Sequence, residues 1–213
     1  MPIFRLNENL IFPEIELAEE NGLIAIGGDL SSDRLYLAYL NGIFPWYSEG
    51  EPILWWSPDP RFVLKTNGIH ISKSMKRILI RDNWEFTINN DFNSVISKCK
   101  SMPRKGQDGT WITGEMLNAY KVLSEEGKAV SFEIWEDNEL IGGMYGVITP
   151  GYFAGESMFS LKNNASKLVL IKACEYLLEK GIDLFDCQIY SEHLKSMGAF
   201  EMPRSEFKNY LPG

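Results

Sequence analysis

Carboxylate and amide side chains interrupt two apolar segments in the C-terminal part of this chain. Glu156 lies within one segment, and Asp186 and Gln188 lie within the next, with a helical pattern between them. Burial of such groups costs several kcal/mol unless they are paired. These three residues are therefore the first candidates for a chemical site.

Strand alternation predicts the direction of these side chains. Asp186 and Gln188 are expected on one face and Cys187 on the other, while Glu156 and Met158 share a face. A carboxylate two residues before an amide can hold that amide in one orientation, with its oxygen directed at a substrate proton. The alternative is a buried aspartate that satisfies backbone amides beside a glutamine at a strand end.

The composition indicates a globular protein without membrane-spanning segments. Its 213 residues, of which 45% are hydrophobic, can form one large domain or a core domain with a smaller appendage. The chain has no apolar run long enough to cross a membrane and no signal-peptide pattern at its start, so we expect a cytoplasmic location. Three scattered cysteines and two histidines argue against a disulfide framework and against a metal site.

The net charge of −8 argues against indiscriminate binding to nucleic acids. A nucleic-acid ligand would need a local basic patch, and one candidate lies on a helix predicted over residues 71–81. Spacings of three and four residues place its basic side chains on one side of that helix: Lys73, Lys76, Arg77 and Arg81. The alternative is an ordinary solvated helix face.

The chain divides into two predicted domains. Residues 1–65 are rich in Gly, Pro and Trp and contain one clear helix near 32–41, which indicates a small loop-rich domain. The predicted second domain covers residues 66–213. It begins with helices near 71–81, 91–101 and 113–126, a strand near 84–88 and a polar loop at 104–109.

From residue 129 the pattern changes to an antiparallel meander. Strands are predicted near 130–135, 140–148 and 152–159, followed by a helix over 165–179, a strand near 183–189, a short helix, and a last strand from 199. The predicted class is α+β.

Several motifs in this chain resemble those of the bacterial leucyl/phenylalanyl-tRNA–protein transferases. The resemblance extends over almost the whole chain and involves these segments: 27–31 (GGDLS), 42–46 (GIFPW), 54–61 (LWWSPDPR), 110–112 (TWI), 142–146 (GGMYG), 155–159 (GESMF), 164–167 (NASK), 186–188 (DCQ) and 196–199 (SMGA). The resemblance implies a C-terminal domain of the acyl-CoA N-acyltransferase-like (GNAT) type. The predicted order of strands and helices agrees with that fold.

The resemblance also implies a reaction and its partners. A member of this family would be a leucyltransferase that moves Leu or Phe, with Met as a further candidate, from aminoacyl-tRNA to an N-terminal Lys or Arg. The peptide bond that it forms would mark the acceptor protein for degradation by the N-degron pathway. We expect a monomer that requires no cofactor. Residues 159–167 contain none of the glycines with which acetyltransferases of this fold receive pyrophosphate.

Roles for individual residues follow as hypotheses. Gln188 would accept a proton from the attacking amine, Asp186 would fix and polarise Gln188, and Glu156 would bind an ammonium group or act as a base. Family resemblance places the terminal adenosine of the tRNA against Trp46 and Trp111, with Phe153 near the same site. The resemblance makes phosphate contact by the basic helix face the favoured interpretation.

Apolar walls for the donor side chain are predicted from three residues on adjacent elements: Met144, Met158 and Leu170. Core packing is the competing interpretation for each.

Two other functions remain open. One is an acetyltransferase that uses acetyl-CoA, and the other is a non-catalytic module that binds the tRNA end or an N-degron.

Overall fold

The computed structural model describes residues 3–81, 83–102 and 111–212, so the polar loop predicted at 104–109 lies outside the described residues. The strands are β1 (Phe4–Leu6), β2 (Leu23–Gly27), β3 (Phe44–Pro45), β4 (Leu54–Trp56), β5 (Arg61–Lys65), β6 (Glu85–Ile88), β7 (Ala129–Glu136), β8 (Glu139–Ile148), β9 (Phe153–Ser160), β10 (Leu184–Gln188) and β11 (Phe200–Met202). The helices are α1 (Ser32–Leu40), α2 (Lys73–Leu79), α3 (Phe92–Ser101), α4 (Gly114–Glu125), α5 (Ala165–Glu179), α6 (Glu192–Ser196) and α7 (Arg204–Phe207). Short 3-10 turns cover Ile15–Leu17, Thr66–Gly68 and Lys208–Tyr210.

A small four-stranded sheet forms the N-terminal part, in the order β1-β2-β4-β3. Trp55 of β4 is fully buried, and its indole Nε1 donates to the carbonyl oxygen of Gly27 at 2.8 Å. Helix α1 ends before Gly42, whose φ of +71° suits glycine because this residue lacks a Cβ. The predicted helix of the small domain is confirmed.

A seven-stranded sheet forms the larger part, in the order β11-β5-β10-β9-β8-β7-β6. Strands β7, β8 and β9 form the predicted antiparallel meander. Helix α5, which has the predicted bounds, then crosses over to β10, which runs parallel to β9. The predicted α+β class is therefore confirmed.

Strand β5 contributes to the large sheet although its residues were expected in the small domain. It pairs antiparallel with both β10 and β11. The pairing is between segments far apart in the chain, so no local pattern in residues 61–65 could indicate it. This strand links the segment at 54–61 directly to the strand that carries Asp186.

Two apolar clusters cover the faces of the large sheet. One cluster contains α3, α4 and the core of the N-terminal part, and the other contains α5 and α2. Neighbouring residues of β8 divide between them, with Tyr145 in the first cluster and Met144 in the second. Both faces of the central strands are therefore buried.

Strands β9 and β10 separate soon after they pair. Their parallel ladder contains only the pairs Phe185↔Phe153 and Asp186↔Ala154. Strand β9 continues alongside β8 to Ser160, whereas β10 follows β5 through a bulge. The divergence leaves an opening between the two strands.

Candidate active site

A cleft of about 510 Å³ lies at this opening. Its walls come from both diverging strands, from the β3 region and from the segment that follows β10. Six of the residues predicted for the site line it: Trp46, Trp111, Met144, Glu156, Met158 and Gln188. These residues come from segments far apart in sequence, and the fold brings them to one concave surface.

Three other predicted residues do not line the cleft. Phe153 is fully buried and its ring packs against Phe185 with 5.0 Å between centroids, at the first of the two residue pairs that join β9 and β10. Leu170 is fully buried in the apolar cluster around α5. Asp186 is fully buried beside the cleft. For Leu170 the structure therefore supports the alternative of core packing, and Phe153, expected near the adenosine site, is also a core residue.

Glu156 and Gln188 face each other across the opening. The Gln188 side-chain Nε2 donates to Oε1 of Glu156 at 2.6 Å, and the Tyr120 hydroxyl donates to Oε2 of the same carboxylate at 2.7 Å. Because the amide nitrogen faces Glu156, the amide oxygen of Gln188 is directed away from it. Glu156 therefore fixes the orientation of the amide, a role that the sequence assigned to Asp186.

Two β-bulges direct these side chains. Between β8 and β9 the register passes from Ser157 to Gly155, so Glu156 is the extra residue. The prediction that Glu156 and Met158 share a face is wrong for this reason. Met158 packs against the cluster around α5, whereas Glu156 reaches Tyr120 in the opposite cluster.

The second bulge lies in β10, between Asp186 and Gln188. Gln188 has a φ of +66°, an unusual left-handed conformation for a residue other than glycine. Such backbone strain is concentrated at functional sites, where surrounding contacts maintain it. Cys187 packs in the cluster around α5, but it also lines the cleft together with Gln188.

Asp186 forms a buried ion pair that the sequence did not indicate. Its two carboxylate oxygens accept from the Arg61 guanidinium, at 2.9 Å from Nε and 2.7 Å from Nη2. Asp186 Oδ1 also accepts from the backbone N–H of Gln188 at 2.9 Å. The predicted contact between Asp186 and the side chain of Gln188 is thus replaced by one to its backbone. Asp186 therefore positions the strained backbone at Gln188, and Glu156 orients the side-chain amide of Gln188.

Burial changes the acidity of Glu156. Removal from water raises its pKa to about 7, although the hydrogen bonds from Tyr120 and Gln188 and the nearby Tyr39 hydroxyl act in the opposite direction. The charge of Asp186 contributes to the increase. Glu156 can therefore change its protonation state near neutral pH.

Aromatic side chains form part of the cleft wall. Trp46 and Trp111 are both half-buried, so their rings keep exposed surface towards the cleft. The indole Nε1 of Trp56 donates to the backbone oxygen of Trp46 at 2.7 Å, which fixes the backbone beneath the Trp46 ring. Exposed, anchored indole rings can serve as stacking platforms for a base.

The predicted basic face is only partly helical. Lys73, Lys76 and Arg77 are exposed on α2, and Met75 is buried beneath them as the helical spacing predicts. The helix ends at Leu79, so Arg81 lies beyond it and does not continue the helical stripe, although it is exposed nearby in sequence.

Three site residues were missed or misjudged from sequence. Arg61 was recognised only as part of a motif, because its aspartate partner is 125 residues away. Tyr120 gave no signal, since a tyrosine on an apolar helix face is usual in a core. His193 received no role from sequence, and it lies in α6 and lines the cleft, where burial and Lys167 lower its pKa.

Among the described residues, no group of three or more His, Cys, Asp or Glu side chains could hold a metal ion. Within the same part of the chain, none of the helices has the length and apolar character needed to cross a membrane.

Sequence comparisons identify relatives of this chain. Residues 63–212 match the leucyl/phenylalanyl-tRNA protein transferase family, and residues 28–59 match the N-terminal domain of the same family. The chain is 49% identical to the leucyl/phenylalanyl-tRNA–protein transferase of Flavobacterium johnsoniae, over 98% of this chain and 99% of that protein. It is 51% identical to the protein of the same name from Syntrophus aciditrophicus, over 97% of this chain and 87% of that protein.

Similarity to solved structures is more distant. A GCN5-related N-acetyltransferase from Kribbella flavida superposes with a TM-score of 0.41 at 9% sequence identity, and covers 79% of this chain and 60% of that chain.

Proposed function

We propose, from the premise that the chain belongs to the leucyl/phenylalanyl-tRNA–protein transferase family, that its cleft transfers Leu or Phe to an N-terminal Lys or Arg. The family establishes the reaction class: the protein is an aminoacyltransferase that uses aminoacyl-tRNA and a protein acceptor. The acceptor residue, the assignment of roles to side chains and the monomeric state are parts of the proposal.

The reaction joins an amine to an ester carbonyl. The acceptor α-amine attacks the carbonyl carbon of the aminoacyl ester, the bond from that carbon to the tRNA 3′-oxygen breaks, and the proton lost by the amine ends on that oxygen. A free α-amine has a pKa of about 7.7–8.0, so a useful fraction is neutral near pH 7. The protein must mainly hold the two reactants in place and accept a hydrogen bond from the amine.

The Gln188 amide can supply that hydrogen-bond acceptor. Its nitrogen is engaged by Glu156, so its oxygen is the free end of an oriented dipole beside the cleft. In this assignment Gln188 is the residue that meets the amine, and Glu156 orients it. Asp186 accepts a hydrogen bond from the backbone N–H of Gln188, and Arg61 in turn holds Asp186.

The remaining cleft residues account for the two parts of the donor. Met144 and Met158 provide flexible apolar contacts for a Leu or Phe side chain. Trp46 and Trp111 provide stacking surfaces for the terminal adenosine, each with an expected contribution of about 1–3 kcal/mol. Such an arrangement lets an acidic protein recognise a tRNA chiefly by its end.

The single observation that carries this proposal is the hydrogen bond from the Gln188 amide to Glu156 at the wall of an aromatic cleft. Cys174 and Cys187 are buried thiols that form no disulfide, which supports a reducing compartment, for which we propose the cytoplasm. The proposed consequence of transfer is degradation of the acceptor by the N-degron pathway.

The test is transfer of radiolabelled Leu or Phe from charged tRNA to synthetic peptides, without ATP or coenzyme A. We expect label on peptides that begin with Lys or Arg, and none on a Gly peptide or on a Lys peptide with an acetylated N-terminus. No transfer from intact charged tRNA by the folded protein would overturn the proposal. Peptide binding without transfer would then favour a binding module, and acetylation with acetyl-CoA would favour an acetyltransferase.

The exposed basic residues of α2 lead to a second prediction. Replacement of both Lys73 and Lys76 with alanine should raise the KM for tRNA and leave kcat unchanged, because phosphate contacts act on binding. The plot of log KM against log salt should become shallower by about 1–2 units, since each lost contact removes roughly 0.7–0.9.

A matched control removes two exposed lysines elsewhere, Lys180→Ala with Lys208→Ala. This control has the same change in net charge and should retain the salt dependence of the wild type. Equal effects of the two double variants would show that only net charge matters, and would remove α2 from the tRNA interface.

A further inference from the structure

A chain of buried hydroxyl groups leads from the N-terminal part of the protein to the cleft. The Tyr152 hydroxyl donates to the backbone oxygen of Tyr39, the hydroxyls of Tyr39 and Tyr120 are hydrogen-bonded to each other, and Tyr120 donates to Glu156. All three tyrosines are fully buried. A hydroxyl has one proton, so Tyr120 can donate to Glu156 only if Tyr39 is the donor in the bond between the tyrosines.

The protonation state of Glu156 determines which end of the Gln188 amide faces it. A carboxylate only accepts hydrogen bonds, and it therefore holds the amide nitrogen, as observed at 2.6 Å. A protonated Glu156 gains one O–H, and while Tyr120 donates to Oε2 that proton lies on Oε1, the oxygen that faces the Gln188 amide. The amide can receive that proton only by turning its oxygen towards Glu156, and this would present its NH₂ group to the cleft in place of its carbonyl.

We propose that Tyr120, oriented by Tyr39, is a positioning residue that keeps Glu156 ionised and thereby keeps the Gln188 carbonyl oxygen directed at the acceptor amine. The proposal rests on the function proposed above and assigns a regulation by protonation to the same site. Neither tyrosine lines the cleft. Their effect passes through the carboxylate to the amide.

The groups around Glu156 place this switch in the physiological range. Burial raises the pKa of Glu156 to about 7, and the hydroxyls of Tyr120 and Tyr39 restrain that increase. The other ionisable groups that interact with Glu156 are Asp186 on β10, Arg61 on β5 and Tyr152 on the β9 side, and Tyr145 on β8 acts on the two tyrosines. The charge of Asp186 is largely offset by that of Arg61, its partner in the buried ion pair. The two tyrosine hydroxyls are therefore the donors whose removal should change the pKa most directly.

Tyr120→Phe removes one proton donor and should raise the pKa of Glu156. A raised pKa means that the ionised state is lost at a higher pH, so the acid limb of the kcat profile should move upwards by about one to two pH units. The rate should return towards that of the wild type above pH 9. Tyr39→Phe should cause a smaller shift in the same direction, because it only weakens the donor bond made by Tyr120.

Three controls separate this role from a general loss of structure. The acceptor amine also titrates in this range, but the same peptide is used for every variant, so its contribution cancels in the comparison. Tyr36→Phe changes a half-buried tyrosine on the same helix as Tyr39, and it should leave the profile unchanged. Glu156→Gln keeps an acceptor oxygen for the Gln188 amide without a titrating group, so its acid limb should lack the contribution of Glu156, whereas the amine and His193, which lines the same cleft, are common to every variant.

A second readout does not depend on transfer. The carboxyl carbon of Glu156, labelled with ¹³C, should titrate near pH 7 in the wild type and at a higher pH in Tyr120→Phe when followed by NMR. An unchanged titration, or a loss of rate by the same factor at every pH, would overturn the positioning role. Absence of transfer in the wild type would instead overturn the proposed function, and the NMR comparison would still test the tyrosine.

Discussion

Asp186→Ala is expected to destabilise the protein by about 3–5 kcal/mol, in addition to lowering the transfer rate. The substitution leaves the Arg61 guanidinium without its partner in a site that excludes water, since both side chains are almost completely buried. Arg61 also lies between the rings of Phe44 and Phe207, at 4.8 and 4.7 Å from their centroids, so it cannot readily turn to solvent. Urea denaturation followed by circular dichroism measures the loss.

This expectation corrects the one that the sequence allows. A catalytic aspartate at a strand end should be replaceable without unfolding, but an aspartate that neutralises a buried arginine is not. A matched control is Asp183→Ala, which breaks an exposed pair with Lys65 at 3.4 Å and should cost at most about 1 kcal/mol.

The double variant Arg61→Leu with Asp186→Leu separates stability from activity. It removes both buried charges, so it should be more stable than either single variant. Transfer should stay low, because the backbone N–H of Gln188 loses the carboxylate that holds it. Recovery of the transfer rate together with stability would show that Asp186 has only a structural role.

Gln188→Gly is expected to lower kcat by about 100-fold or more while the free energy of unfolding changes by no more than about 1 kcal/mol. The variant loses the amide that is proposed to accept a hydrogen bond from the amine. Glycine adopts the φ of +66° found here without a steric penalty, and cleft water can replace the amide as a partner for Glu156. Single-turnover transfer to a Lys peptide measures the rate, and urea denaturation measures stability.

Gln188→Ala is the matched control for this position. It also lacks the amide, but its Cβ keeps the strain of a left-handed backbone, so it should lose as much activity as glycine and be the less stable of the two. Near-normal turnover in Gln188→Gly would remove this residue from the mechanism. Activity in glycine but not in alanine would instead indicate that the backbone conformation is the important feature.

Local sequence patterns were sufficient to predict most helices and strands of the large domain. Helix α5 has the predicted bounds because its apolar spacing and the glycine after it are local signals. The strands of the meander lie within about one residue of their predicted bounds, since turns at 137–138 and 149–151 separate them. The patterns were weaker in the N-terminal part, where strands of two to five residues carry little periodicity.

The sequence by itself determined the reaction class and the candidates for its chemistry. Motifs in a fixed order indicated the family, and polar residues within apolar strands indicated Glu156 and Gln188. Both kinds of signal are local, because they depend on residue types and on short spacings along the chain.

Only the tertiary structure decided the relations among those residues. The pairing of β5 with β10 brings Arg61 to Asp186, and the divergence of β9 from β10 opens the cleft. Bulges at Glu156 and near Gln188 then give these side chains hydrogen-bond partners that differ from those predicted by strand alternation. Each of these features depends on contacts between segments that are remote in the chain. The free energy that selects them comes from packing and from the pairing of buried charges. No short window of sequence contains both members of such a contact.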